Sequence, residues 1–186
     1  MKIYIIGIGL IGGSMALDIK SIYDEAKIFG IDANEKHLGE AIELGLIDEK
    51  ASENELINAD LVIVAVPVDV GLVILPEILN NIGEQTLVFD VGSTKNPICE
   101  AIENHPKRRN FMACHPIAGT EFSGPKAAIK GLFEGKTNII CEVEKTTFKL
   151  QETAMDLFKK LGMRIRYMDP KSHDKHIAYV SHLSHI

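Results

Sequence analysis

Gly7-Ile8-Gly9-Leu10-Ile11-Gly12 follows the apolar run Ile3–Ile6 and opens the segment that begins at Leu10. The hexapeptide fits G-x-G-x-x-G, a weak signal alone, but its context here is complete. A strand is expected over Ile3–Ile6 and a helix over Leu10–Lys20. A second strand over Lys27–Ile31 leads to Asp32, 20 residues past Gly12. Each part has a physical task. Gly7 permits the tight turn, Gly9 lets the backbone approach a pyrophosphate, and Gly12 lets helix and strand pack closely. The helix start at Leu10 and Ile11 turns unpaired N–H groups toward negative charge. Asp32 is expected to accept hydrogen bonds from an adenosine ribose, and its charge would repel a 2′-phosphate. No arginine follows in Ala33-Asn34-Glu35. The unit therefore predicts a dinucleotide site that takes NAD in preference to NADP.

The rest of the chain keeps the same rhythm. Apolar segments at Leu61–Val66, Thr86–Asp90, Phe111–Cys114, Asn138–Cys141 and Arg164–Met168 read as strands. Helical segments at Asn34–Leu44, Val70–Asn81, Lys95–Asn104 and Thr147–Leu161 separate most of them, with Pro76 expected to bend or interrupt the second. His115–Gly135 reads as a loop with one short helix at Lys126–Ile129. Apolar strands without polar alternation are buried on both faces. With helices between them, they predict an α/β fold: a Rossmann-type, doubly wound, mainly parallel sheet with helices on both faces. This domain is expected to span residues 1–169. A last helix from Pro170 meets no stop signal before Ile186 and reads as the start of a C-terminal helical domain.

Three loops follow strand ends, where ligands sit in open parallel sheets. They are Ala65-Val66-Pro67, Asp90 to Lys95 (DVGSTK) and Cys114 to Glu121 (CHPIAGTE). Val66 and Pro67 are expected to line the cofactor site. His115 suits proton transfer, because a hydride leaving an alcohol carbon requires the hydroxyl proton to leave too. Ser93 could hydrogen-bond that imidazole or the substrate hydroxyl; it could also cap the following helix.

Composition excludes several classes. The chain of 186 residues carries 20 basic and 26 acidic residues, a net charge of −6, and no basic block, so nucleic acid is not an expected partner. No apolar stretch is long enough to span a membrane. Met1-Lys2 and the apolar run to Leu17 have the outline of a secretory leader. Four glycines lie inside that run, Asp18 ends it, and no cleavage site follows. Cys99, Cys114 and Cys141 are odd in number and widely spaced, which points to a reducing cytoplasm. His173, His176, His182 and His185 invite a metal hypothesis, but no nearby Glu or Cys completes a zinc set, and no metal is expected.

Taken together, GIGLIGGS at Gly7–Ser14, GSTK at Gly92–Lys95, HPIAGTE at His115–Glu121 and SHLSH at Ser181–His185 resemble the prephenate dehydrogenase family of tyrosine biosynthesis, which includes arogenate dehydrogenases. The resemblance implies NAD-dependent oxidative decarboxylation of prephenate to 4-hydroxyphenylpyruvate. It assigns the catalytic histidine to His115 and its partner serine to Ser93. It puts Thr120 and Glu121 on a loop near the substrate, and His182 and His185 on the substrate side. Arogenate, the amino-acid analogue, is the alternative substrate. A dinucleotide-binding module without catalysis is the alternative of another class, but it leaves Ser93 and His115 unexplained. Two departures stand out. Ser184 replaces the family's proline, and nothing here matches the helical domain that forms the family's homodimer and supplies an arginine for the substrate carboxylate.

Overall fold

The computed structural model describes residues 1–183, apart from the side chain of His182. Its strands are β1 (Lys2–Ile6), β2 (Lys27–Ile31), β3 (Glu49–Lys50), β4 (Leu61–Val64), β5 (Leu87–Asp90), β6 (Phe111–Pro116), β7 (Thr137–Cys141) and β8 (Arg164–Tyr167). Its α-helices are α1 (Leu10–Ile22), α2 (Glu35–Glu43), α3 (Val68–Asn81), α4 (Asn96–Ala101), α5 (Phe148–Lys160) and α6 (Pro170–Leu183). Short 3₁₀ turns join several of them.

The described strands form one sheet in the order β3-β2-β1-β4-β5-β6-β7-β8. The strands from β3 to β6 are parallel neighbours. From β1 the chain winds outward through β2 and β3, then crosses back to β4. The order therefore reverses between β1 and β4, where open sheets leave a crevice beyond the strand ends. Alternate residues of one strand feed the two faces. Ile3 and Ile5 join Met15, Phe89 and Phe158 in one core, while Tyr4 and Ile6 join Val64, Leu79 and Ile98 in the other. Both faces bury apolar side chains, which accounts for the absence of polar alternation in the strands.

Several details depart from the reading of the sequence. β4 stops at Val64, and beyond it Ala65 lies against the glycine turn, where a Cβ on Gly7 would be 2.4 Å from the Ala65 carbonyl oxygen. Pro76 sits inside α3, which runs unbroken to Asn81. α4 ends at Ala101 instead of reaching Asn104, and Pro106 disfavours helical backbone at His105. The strand β3 and the 3₁₀ turn at Glu53–Asn58 carry no apolar period and were not anticipated. β7 pairs antiparallel with β6. The connection between them holds only a 3₁₀ turn at Pro125–Ala127, without the helical crossover that a parallel neighbour requires. Two buried polar residues of α1 hold that connection: Ile129 N–H donates to Ser14 Oγ at 2.9 Å and Gly131 N–H to Asp18 Oδ1 at 2.8 Å. Asp18, which interrupts the apolar run in the sequence, thus anchors a loop.

Candidate active site

The glycine turn is built without slack. Gly7 has φ +93°, and its N–H donates to Ile31 O at 2.8 Å. A Cβ on Gly12 would sit 2.1 Å from Gly7 O, whereas one on Gly9 would meet nothing within 4 Å. Gly7 and Gly12 therefore serve the packing of strand and helix, while Gly9 faces open space. Gly9 is also the N-cap of α1, with no side-chain cap and no acidic residue in the first turn. The helix start is left positive and open, as an anion site requires.

Asp32 is tied into this turn. Its Oδ2 accepts the Ile8 N–H at 2.9 Å and its Oδ1 the Asn34 N–H at 2.8 Å. His37 Nδ1 lies 3.7 Å from Oδ2. A cavity of about 510 Å³ opens here, lined by Gly7, Asp32, Asn34, His37, Val66 and Pro67 among others. The residues present suit a dinucleotide: open helix N–H groups for phosphate, a carboxylate for ribose, and apolar walls.

A second cavity, of about 580 Å³, shares Gly9, Ala65, Val66 and Pro67 with the first. Leu10, Ile11, Ser93, His115 and Phe122 line it too. The three strand-end loops thus meet on one cleft that starts at the glycine turn. Thr120 and Glu121 are exposed on the loop just outside this lining, and Thr120 Oγ1 accepts the Phe122 N–H at 3.1 Å. The expectations for His182 and His185 fall outside the described side chains.

Behind His115 lies a chain of polar groups. His115 Nδ1 is 2.8 Å from His173 Nε2, and His173 Nδ1 is 2.7 Å from Asp174 Oδ1. Asp174 also accepts the backbone N–H groups of Lys95 at 2.7 Å and Asn96 at 2.9 Å. It therefore caps α4 from another helix, and Ser93, two residues before the Lys95 N-cap, is left to face the cleft. The Lys95 ammonium, fully buried, pairs with Asp90 and donates to Cys114 O at 2.5 Å. Burial first, then the neighbouring His173 ring and the Lys95 ammonium, push the His115 imidazole from 6.5 down to about 4, against the pull of Asp174. It is neutral at pH 7. Burial pushes the Asp174 carboxyl up, but the bonds from His173, Lys95 and Asn96 outweigh this and hold it below its usual range. Burial raises the Cys114 thiol well above its ordinary value, so this neighbour of His115 is no nucleophile.

His173, Asp174 and the ammonium of Lys95 are members of this site that sequence reasoning missed. Asp169 and Pro170 mark a helix start, which places His173 and Asp174 in its first turns, but nothing local says that this turn packs beside β6. Among the described residues no group of three His, Cys, Asp or Glu is arranged to hold a metal, and no helix is long and apolar enough to cross a membrane.

A doubly wound sheet with an open glycine turn at its switch point defines a nucleotide-binding domain, and the imidazole at the far end of the same cleft gives it a reactive group. The chain belongs to the family of the prephenate dehydrogenase nucleotide-binding domain, whose family model matches residues 15–167. It is 37% identical over 188 residues to prephenate dehydrogenase of Bacillus subtilis, covering 99% of this chain and 51% of that protein. The crystal structure of prephenate dehydrogenase from A. aeolicus in complex with hydroxyphenyl propionate and NAD+ superposes with TM-score 0.86 at 32% identity, covering 94% of this chain and 62% of the other. The Synechocystis arogenate dehydrogenase structure superposes with TM-score 0.88 at 28% identity, covering 98% and 65%. The chain spans about half the length of the curated relatives it matches.

Proposed function

We propose that this chain is the NAD-binding part of an enzyme that oxidises and decarboxylates prephenate to 4-hydroxyphenylpyruvate. The observation that carries the reading is His115: a neutral imidazole on the same cleft as the open glycine turn. Gly9, Leu10 and Ile11 would meet the pyrophosphate on a turn shaped by Gly7 and Gly12, Asp32 would hold the adenosine ribose, and Val66 and Pro67 would form the wall beside the ring. NAD, when bound, supplies the hydride acceptor. His115 takes the proton of the substrate's ring hydroxyl as the carbonyl forms, and Ser93 orients that hydroxyl. Loss of carbon dioxide leaves an aromatic ring, which drives the reaction forward. Thr120 and Glu121 would meet the substrate from the loop beyond β6, and His182 and His185 from the end of the chain. A helical domain of the whole enzyme would complete the substrate site and form the homodimer. The free, buried cysteines suit a reducing cytoplasm.

The likeness to the Synechocystis arogenate dehydrogenase supports arogenate as a second substrate. A non-catalytic module is disfavoured, because it has no use for a buried His-His-Asp chain ending on the cleft. The test is NADH formation by the intact protein with prephenate and with arogenate. Absence of turnover with both sinks the reading. So does a His115→Asn variant that binds NAD and keeps full activity.

A further inference from the structure

The hydrogen-bond chain behind His115 has a direction. Asp174 is held ionised by three donors: the Lys95 N–H, the Asn96 N–H and His173. A carboxylate only accepts, so His173 must present Nδ1–H to it. With a single proton on His173, at Nδ1, its Nε2 is bare and can only accept, so the nitrogen facing it, His115 Nδ1 at 2.8 Å, carries a proton and His115 Nε2 is left bare for the cleft.

We propose that His173 and Asp174, at the start of α6, are positioning residues for catalysis: they set His115 in the tautomer that can accept a proton at Nε2, and they meet the charge that this proton brings. The inference rests on the proton-acceptor role given to His115 above. The transfer balances with NAD, when bound, as the hydride acceptor. The substrate O–H bond breaks, an Nε2–H bond forms, and the oxygen's electron pair closes the carbonyl as the hydride leaves. The imidazole becomes cationic where burial and the Lys95 ammonium oppose a positive charge. Lys95 is already paired with Asp90, so Asp174 is the anion aligned with His115, and it acts through His173. Movement of the His115 Nδ1 proton onto His173 would place the charge directly against that carboxylate.

The geometry also explains the burial. His173 is fully enclosed, and both of its ring nitrogens have partners, as a buried polar ring requires. Asp174 performs two tasks with one carboxylate. It closes the N-terminus of α4, which follows the Ser93 loop, and it orients the ring behind the base. The Ser93 loop and the end of β6 that carries His115 are thereby locked to one helix.

Ring-nitrogen NMR of the ¹⁵N-histidine-labelled intact protein and pH–rate profiles test this. The wild type is expected to show His115 protonated at Nδ1 and bare at Nε2 at pH 7. In Asp174→Asn the amide cannot accept from His173, Lys95 and Asn96 together, so kcat should fall about 10²–10⁴-fold, as expected when a base loses its tautomer. NAD affinity should stay within about twofold, since the glycine turn lies elsewhere. His173→Gln keeps an acceptor for His115 Nδ1–H and should retain more kcat than His173→Leu, with its acid limb moved. That pair decides the matter if Asp174→Asn does not fold. His115 protonated at Nε2 in the wild type overturns the proposal. So does an Asp174→Asn variant with unchanged kcat and pH profile, or a Gln variant no better than Leu. If the wild type turns over neither substrate, the functional reading fails, while the NMR result still decides the tautomer.

Discussion

The ammonium of Lys95 and the carboxylate of Asp90 form an ion pair sealed from solvent, with side-chain exposures of 0% and 3%. The pair joins the ends of two strands. Asp90 closes β5 and accepts the Cys114 N–H at 3.0 Å, and Lys95 donates to Cys114 O. His115, next along β6, therefore takes its position from a charge pair in the preceding loop.

Lys95→Met should be costly for that reason. It leaves a buried carboxylate facing a side chain that cannot donate, and such a change costs about 3–5 kcal/mol. Urea unfolding of the variant and the wild type measures the difference. A loss below about 1 kcal/mol, the scale of an exposed pair, would contradict the description of the pair as buried.

The three glycines of the turn should separate into two kinds. Gly12→Ala drives a methyl to 2.1 Å from Gly7 O, and Gly7→Ala adds strain at φ +93°. Both should lose several kcal/mol of stability or fail to fold. Gly9→Ala meets nothing within 4 Å and should melt near the wild type, while NAD affinity falls about tenfold or more. Thermal melting and NAD titration of the same samples check both halves. A Gly9→Ala variant with normal affinity would remove this glycine from the cofactor site.

Asp32→Asn should weaken NAD more than NADP. The amide oxygen can keep only part of what two carboxylate oxygens now do for Ile8 and Asn34, and the charge that would repel a 2′-phosphate is gone. Loss of a charged hydrogen bond of about 1.5–3 kcal/mol corresponds to roughly ten- to hundredfold in affinity. Isothermal titration with both nucleotides reads the ratio. Equal binding of NAD and NADP by the wild type would refute the role given to Asp32.

Stability should fall in mild acid because of His115. Its imidazole is held at about 4 in the fold, against an ordinary 6.5 in the open chain. Between those values the unfolded chain binds the proton and the folded chain does not, so acid favours unfolding. This contribution is fully present above pH 6.5 and is lost as the pH drops toward 4. Denaturation midpoints between pH 7 and pH 4.5 should decline less steeply for His115→Asn than for the wild type. Identical slopes would show that the imidazole is not buried as described.

Much of the fold was legible because its signals are local. The glycine turn, the apolar strands β1, β2 and β5 and the helix between Asn34 and Gly45 each depend on residues close in sequence. β3 was missed because two exposed residues, Glu49 and Lys50, hold it in the sheet through backbone bonds alone. The direction of β7 was hidden because it depends on where the 117–136 connection docks, and Ser14 and Asp18 of α1 decide that. Ser93 could be named from its loop and His115 from the end of its strand. His173 was read only as a candidate metal ligand, since 58 residues separate it from its partner.

The sequence alone determined the doubly wound class, the glycine turn with Asp32 at the end of the next strand, and the histidine at the end of β6. These are short-range matters of backbone freedom, apolar run length and charge. Tertiary structure decided what stands behind that histidine. A salt bridge that binds the neighbouring Cys114, an antiparallel return and the first turn of a late helix all bear on one ring. Each contact links segments far apart in the chain, so only packing could reveal them.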